Sequence, residues 1–138
     1  MIDQFQNVIQ DLGALTAVPL HVDENFHCVM NINGELDIFL EPNERDHVLQ
    51  IGCKLGQIFQ GPFRERVFKQ MLIANGSEEA HFGYFAFSSR NQQLVFYAIK
   101  FLPDLTGVYL ADFLESFIAN ALKWKQAIEK GYEKPDTV

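Results

Sequence analysis

Positive charge is scarce in this chain. Its 138 residues hold 11 Lys and Arg against 18 Asp and Glu, a formal net charge of −7. So acidic a chain repels phosphate backbones and anionic lipid, which argues against nucleic acid or a membrane surface as a bulk-charge partner. No apolar run reaches the 18 residues at which a membrane-spanning helix becomes a candidate. The opening residues, MIDQFQNVIQ, carry no Lys or Arg and no signal-peptide core, so a cytoplasmic protein is expected. Cysteine is limited to Cys28 and Cys53, whose separation matches no metal or redox motif. The histidines His21, His27, His47 and His81 are scattered and form no HExxH pair. Only Ser77, Ser88, Ser89 and Ser116 carry a serine hydroxyl, and none lies in GxSxG. Gly56–Gly61 has the glycine spacing of a phosphate loop, but Pro62-Phe63 stands where Lys and Ser/Thr must be. No catalytic residue, metal or cofactor is therefore expected, and the chain reads as a non-enzyme.

What the chain does have is apolar substance. Hydrophobic residues make up 48%, and 13 are Phe, which argues against a disordered chain and suits one domain with a real core. We assign it to residues 1–131, with a flexible tail over 132–138. The stretch GPFRERVFKQMLIANG, Gly61–Gly76, reads as a helix with a first-turn proline and an Asn-Gly stop. At 100° per residue, Phe63, Ala74, Val67 and Met71 fall together, and Phe68 and Leu72 continue the same side. The arc spans roughly 180°, against about 100° for an ordinary surface helix. Two readings stay open: the helix is sandwiched within its own domain, or half of it meets a second subunit.

Ahead of that helix, Phe5, Val8, Ile9 and Leu12 repeat at helical spacing over about 3–13. Two alternating segments, 26–32 and 35–41, flank Asn33-Gly34, and a third strand covers 47–55. A two-residue Asn-Gly turn would put the apolar faces on opposite sides. A three-residue loop, Ile32-Asn33-Gly34, is expected instead, aligning Met30 with Leu36. A four-residue loop over 42–45 would set Phe39 opposite Val48. Both cysteines then face the core on non-adjacent strands, as small hydrophobes and not as a disulfide. On the solvent face Val29, Phe39 and Val48 form an apolar patch among Glu35, Asp37 and Glu41, a candidate partner site.

Beyond the second helix, strands over 81–88 and 94–102 are apolar on both faces, so both faces should be covered. A last helix over about 106–130 carries a seam of Leu110, Leu114, Phe117, Ala121, Trp124 and Ile128. The order α-β-β-β-α-β-β-α is that of an α+β fold, a mostly antiparallel sheet packed with three helices.

Three motifs in order carry a family resemblance. Met71-Leu72-Ile73-Ala74-Asn75 is similar to "LLEAN", Phe101-Leu102-Pro103 to an "LP" after the last strand, and Phe113-Leu114…Phe117…Ala121…Trp124 to "FL…A..W". From the first helix to about Lys130 the chain resembles the class I type III secretion chaperones, the family of the Tir chaperone. It departs in the loop Gly76–Gly83, poor in glycine and bearing Glu78, Glu79 and His81.

The resemblance implies a non-enzymatic dimer, with itself or with a related chaperone, paired through the second helix and the neighbouring strand. The implied interface is Phe63, Val67, Phe68, Met71, Leu72, Phe85 and Phe87. It also implies that the N-terminal segment of a secreted effector or secretion regulator wraps in extended form over the first helix and first three strands. Phe5, Val8, Ile9, Leu12, Val29, Phe39 and Val48 are the residues expected there. The competing reading is a small ligand-binding or regulatory domain, or small enzyme, with the aromatic second hairpin lining a pocket.

Overall fold

The computed structural model describes residues 2–18, 20–77 and 82–135. Three helices, α1 (Ile2–Thr16), α2 (Pro62–Asn75) and α3 (Gly107–Glu129), alternate with five strands. These are β1 (Cys28–Ile32), β2 (Leu36–Asn43), β3 (Val48–Gln57), β4 (Tyr84–Ser88) and β5 (Gln93–Phe101). All neighbours pair antiparallel in one sheet of order β1-β2-β3-β5-β4. The element order and class are those expected.

One sheet face holds the core. Cys28, Met30, Leu36, Ile38, Leu40, Leu49, Ile51, Cys53, Leu55, Leu94 and Phe96 alternate onto it and are buried, beneath α1 and α3. Aromatic rings fill its centre: Phe96 stacks on Phe117 at 4.7 Å, and Phe85 lies 4.5 Å from Trp124. Helix α3 starts at a Thr106 cap, whose hydroxyl accepts from the Tyr109 N–H, satisfying one donor of its first turn. Gly107 lets α3 reach α1, because a Cβ there would lie 2.5 Å from the Asp11 Cβ. Lys100 projects toward the core side but bridges to α3, its ammonium 3.9 Å from the Phe113 ring.

Two registers differ from expectation, and parity survives in both. At the β1–β2 turn Asn33 and Gly34 both take left-handed φ, and the Glu35 N–H donates to the Ile32 carbonyl. Glu35 is the extra residue that restores parity, so Met30 faces Ile38 and not Leu36. The β2–β3 pairing is shifted by four: Phe39 faces Gly52, and Val48 faces Asn43. Pro42 is inside β2 opposite Leu49 and not in the loop. β1 reaches only to Cys28, opposite Leu40, so at Pro42 the strand has a neighbour on one side and the missing N–H costs no ladder bond. The loop falls on 44–47, where Asn43 Oδ1 accepts from the Asp46 N–H and His47 takes a left-handed φ.

β1 also starts two residues late. Phe26 has φ 60° in a turn held by Asp23, whose carboxylate accepts from the N–H groups of Asn25 and His27. The acidic loop residues Glu78 and Glu79, His81, and the last three tail residues lie outside the described residues. Nearer α3, Glu133 of the tail pairs with Arg66 at 3.6 Å.

Candidate partner surfaces

The face of the sheet opposite α1 and α3 carries no helix. In one row across all five strands stand Val29, Phe39, Gly52, Tyr97 and Tyr84. The four side chains of that row are exposed, as are Phe82, Ile99 (54%) and Phe101 (58%). The expected patch is therefore reassembled. Val29 and Phe39 are adjacent as expected, but the register removes Val48 to a distant row and puts Gly52 and Tyr97 in its place.

Charge divides this face. The β1–β2 half carries Asp37 and Glu41, with Glu41 2.9 Å from the His27 imidazole, while the β3–β5–β4 half carries only Lys54, placed 6.0 Å from the Phe39 ring. The two-faced apolar pattern of the last strands was a legible signal. Its outer half is left bare, so the expectation that both faces are covered is not met within one chain.

Helix α2 divides as its wide arc implies. Val67 and Met71 turn inward and are buried, Phe63 and Phe68 are half-buried, and Leu72 is 71% exposed. Phe85 is buried against Trp124, and Phe87 meets Phe68 edge-on at 4.9 Å. Val67, Met71 and Phe85, expected at a dimer interface, thus belong to the home core. The outward ridge is Phe68, Leu72 and Phe87. Arg64, which interrupts the apolar arc, stacks its guanidinium 5.5 Å from the Phe68 ring and 5.0 Å from that of Phe87. Its Nη1 donates to Gln92 Oε1 at 3.2 Å.

Asn75 does more than stop the helix. Its Nδ2 donates to the Phe85 carbonyl at 2.9 Å, and its Oδ1 accepts the Phe85 N–H at 2.8 Å. β4 is an edge strand, and one amide side chain here fills the place of a paired strand residue. An edge so filled offers less to a foreign strand. The opposite edge, β1, has no such cover among the described residues beyond the Asp23 turn at its start.

Along α1 the sequence expectation needs correcting. Phe5, Val8, Ile9 and Leu12 are all buried, none above 4% exposed, each contributing roughly 1.5–3 kcal/mol to stability. The stripe is turned into the core, where the helix packs on α3. A groove does run between α1, β1 and α3, lined by Leu12, Thr16, Met30, Ala111, Leu114 and Ile118. Asp112 and Glu115 stand at its rim.

Neither cysteine is poised for chemistry. Burial pushes the Cys53 thiol up to about 12, and the thiol donates to the Phe96 carbonyl at 3.7 Å. Burial, then the Asp23 carboxylate, raises Cys28. The second hairpin's inner rings pack on one another at contact distance, a filled core where the ligand-binding reading needs a pocket.

A family model for the Tir chaperone protein (CesT) family matches residues 7–125. The chain belongs to that family. Chaperoning is a non-enzymatic role, and no helix among the described residues is long and apolar enough to cross a membrane. No curated protein sequence matches the chain. Solved structures of similar fold include the HopA1–SchA chaperone–effector complex, with TM-score 0.73 at 14% identity, covering 91% of this chain and 96% of that one. The type III secretion chaperone SycH of Yersinia pestis, solved with a YscM2 fragment, gives 0.65 at 13% identity, covering 86% and 97%. The ExoT–SpcS complex of Pseudomonas aeruginosa gives 0.64 at 16%, covering 88% and 97%. At such identities the likeness to these structures is one of fold.

Proposed function

We propose that this chain is a type III secretion chaperone that binds the N-terminal segment of a secreted effector or secretion regulator. It holds that segment extended, soluble and competent for export, without catalysis, in the bacterial cytoplasm. The observation that carries the reading is a five-stranded sheet with one bare apolar face in a member of a chaperone family. The open β1 edge supplies backbone groups for an added strand. The neighbouring groove, walled by Thr16, Ala111 and Ile118, receives its alternate side chains. Asp112 and Glu115 at that groove, with Asp37 and Glu41 across the sheet, favour a partner with basic residues.

The working unit is a dimer. Its contacts are the outward α2 ridge of Phe68 and Leu72 with Phe87 and the uncharged β4 surface, and a related chaperone serves as well as a second copy. The test is coexpression with proteins secreted by the same system. A stable complex is expected, with the partner's N-terminal region protected from protease. Phe39→Asp, at an exposed site, is expected to weaken that complex at least tenfold, about 1.4 kcal/mol, with folding intact. A well-folded monomer at tens of micromolar that takes up no secreted protein overturns the reading.

A further inference from the structure

Gly52 sits in the middle of β3, the central strand, and its backbone does not ask for glycine. Its φ is not among the left-handed values. A Cβ built there meets nothing nearer than the Phe96 carbonyl oxygen at 4.0 Å, so the backbone leaves room for a side chain to start. Glycine weakens a strand interior and often marks a place where something approaches the backbone closely. The missing side chain opens a notch between Phe39 and Tyr97, whose strands lie roughly 10 Å apart, two spacings of about 4.8 Å. Gln50 and Ile99 of the next row close one end, and Glu41 stands at the rim. The depression measures about 330 Å³, the share of on the order of ten liquid waters.

We infer that the Gly52 notch is a specificity subsite that takes one bulky aliphatic side chain of the secreted partner, flanked in sequence by Arg or Lys. This deepens the chaperone reading and rests on it. Phe39, Tyr97 and Ile99 supply the apolar walls. Charge selects the occupant: Glu41 stands at the notch and Asp37 lies on the same face of β2 beyond Phe39, with Lys54 beside the Phe39 ring as the cation of that face, so in a chain of formal charge −7 a second copy is repelled and a basic flank is attracted. Access from β1 runs along the row Val29, Phe39, Gly52, so a partner strand added at β1 continues across the sheet face, over roughly three strand spacings of about 4.8 Å, to reach the notch. Strand β4 and the α2 ridge are left for the dimer.

The probe is a pair of synthetic peptides, acetyl-Ser-Arg-Leu-Arg-Ser-amide and the same peptide with Glu for both Arg, titrated into ¹⁵N-labelled full-length protein. The basic peptide is expected to shift the amides of Phe39, Gly52, Tyr97 and Ile99, and the acidic one to bind at least fivefold more weakly. Gly52→Leu is expected to fold with an unchanged or higher thermal midpoint and to lose at least tenfold in peptide affinity. A loss of binding at full stability is what a merely structural glycine does not produce. Glu41→Lys is expected to reverse the peptide preference. Unchanged affinity in Gly52→Leu, or shifts confined to the α1–β1–α3 groove, overturns the subsite and leaves the chaperone reading standing. Loss of the dimer in Gly52→Leu with peptide binding intact also overturns it, and assigns the notch to the second copy. The chaperone reading fails by a different result, the absence of any complex with coexpressed secreted proteins.

Discussion

Asn75→Ala isolates the contact that ties α2 to the sheet. The substitution removes two hydrogen bonds, from the Phe85 N–H and to the Phe85 carbonyl, each worth about 0.5–1.5 kcal/mol net. Phe85 is itself buried, but its outward backbone groups lie at the edge of the sheet, where water can partly replace the amide. The expected loss is therefore about 2 kcal/mol, a midpoint lower by roughly 6–10 °C for a domain of this size. Native-state amide exchange locates the effect: the Phe85 N–H should exchange slowly in the parent and fast in the variant, while the Phe96 amide changes little. Asn75→Asp sharpens the test. Its carboxylate still accepts from the Phe85 N–H but meets the Phe85 carbonyl as a second acceptor, so at neutral pH it should cost at least as much as alanine. Protonation restores the donor. The folded state then holds the proton more tightly than the unfolded one, and the variant's stability should rise as pH falls. A loss below about 0.5 kcal/mol in Asn75→Ala, the range of an ordinary surface change, would refute the clamp.

Other outcomes follow from burial. Leu72→Glu should sediment as a monomer with its fold intact, whereas Met71→Glu should unfold the chain, since an unpaired buried carboxylate costs several kcal/mol; a Leu72→Glu dimer would remove α2 from the interface. Thiol labelling of Cys28 and Cys53 at pH 8 should proceed only at the rate of unfolding, and fast labelling of the native protein would contradict their burial. Cys53 also makes alkaline stability testable. An unfolded thiol ionises near 9.0 and the native one near 12, so its stabilising proton is lost to the unfolded state first. Stability should fall by ~1.4 kcal/mol per pH unit between those values, and Cys53→Ala should flatten that slope in urea titrations.

How far the fold could be read from residues depended on what each signal specifies. Helical repeats placed α1, α2 and α3 within a few residues, and alternation gave the inward face of β1, β2 and β3, while β4 and β5, apolar on both faces, offered no such choice. Alternation repeats every two residues, however, so it is silent on shifts of two or four, and those are the two errors made. Treating Pro42 as a loop residue ignored that β1 ends before it. The apolar patch survived because Phe39 kept its face, but its neighbours were wrong: Gly52 and Tyr97 could be found only once the register was known. The α1 stripe failed for another reason. Spacing identifies a buried face without counting the elements that bury it, and α3 covers what the sheet does not. Val67 and Met71 failed likewise, since an arc of about 180° says that two bodies are touched, not which half touches which. Asn75 carried two meanings, helix stop and edge clamp, and only the first is local enough to see in sequence.

The division of the outer face by charge gives the two interfaces opposite responses to salt. In the proposed dimer, contacts on β4 and the α2 ridge bring together two chains of formal charge −7. Their mutual repulsion is what salt removes, as the screening length falls from about 10 Å at 0.1 M to about 3 Å at 1 M. Self-association should therefore tighten as NaCl rises from 0.05 to 0.5 M, apolar burial being strengthened if anything. A basic partner segment held near Asp37, Glu41, Asp112 and Glu115 loses attraction over the same range and should weaken. Sedimentation equilibrium reads the first trend and calorimetry with the basic peptide the second. If both interactions weaken in step, the dimer uses the acidic half after all, and one surface must serve both partners in turn. If both tighten, the acidic rim contributes nothing to recognition and apolar contact alone selects the partner.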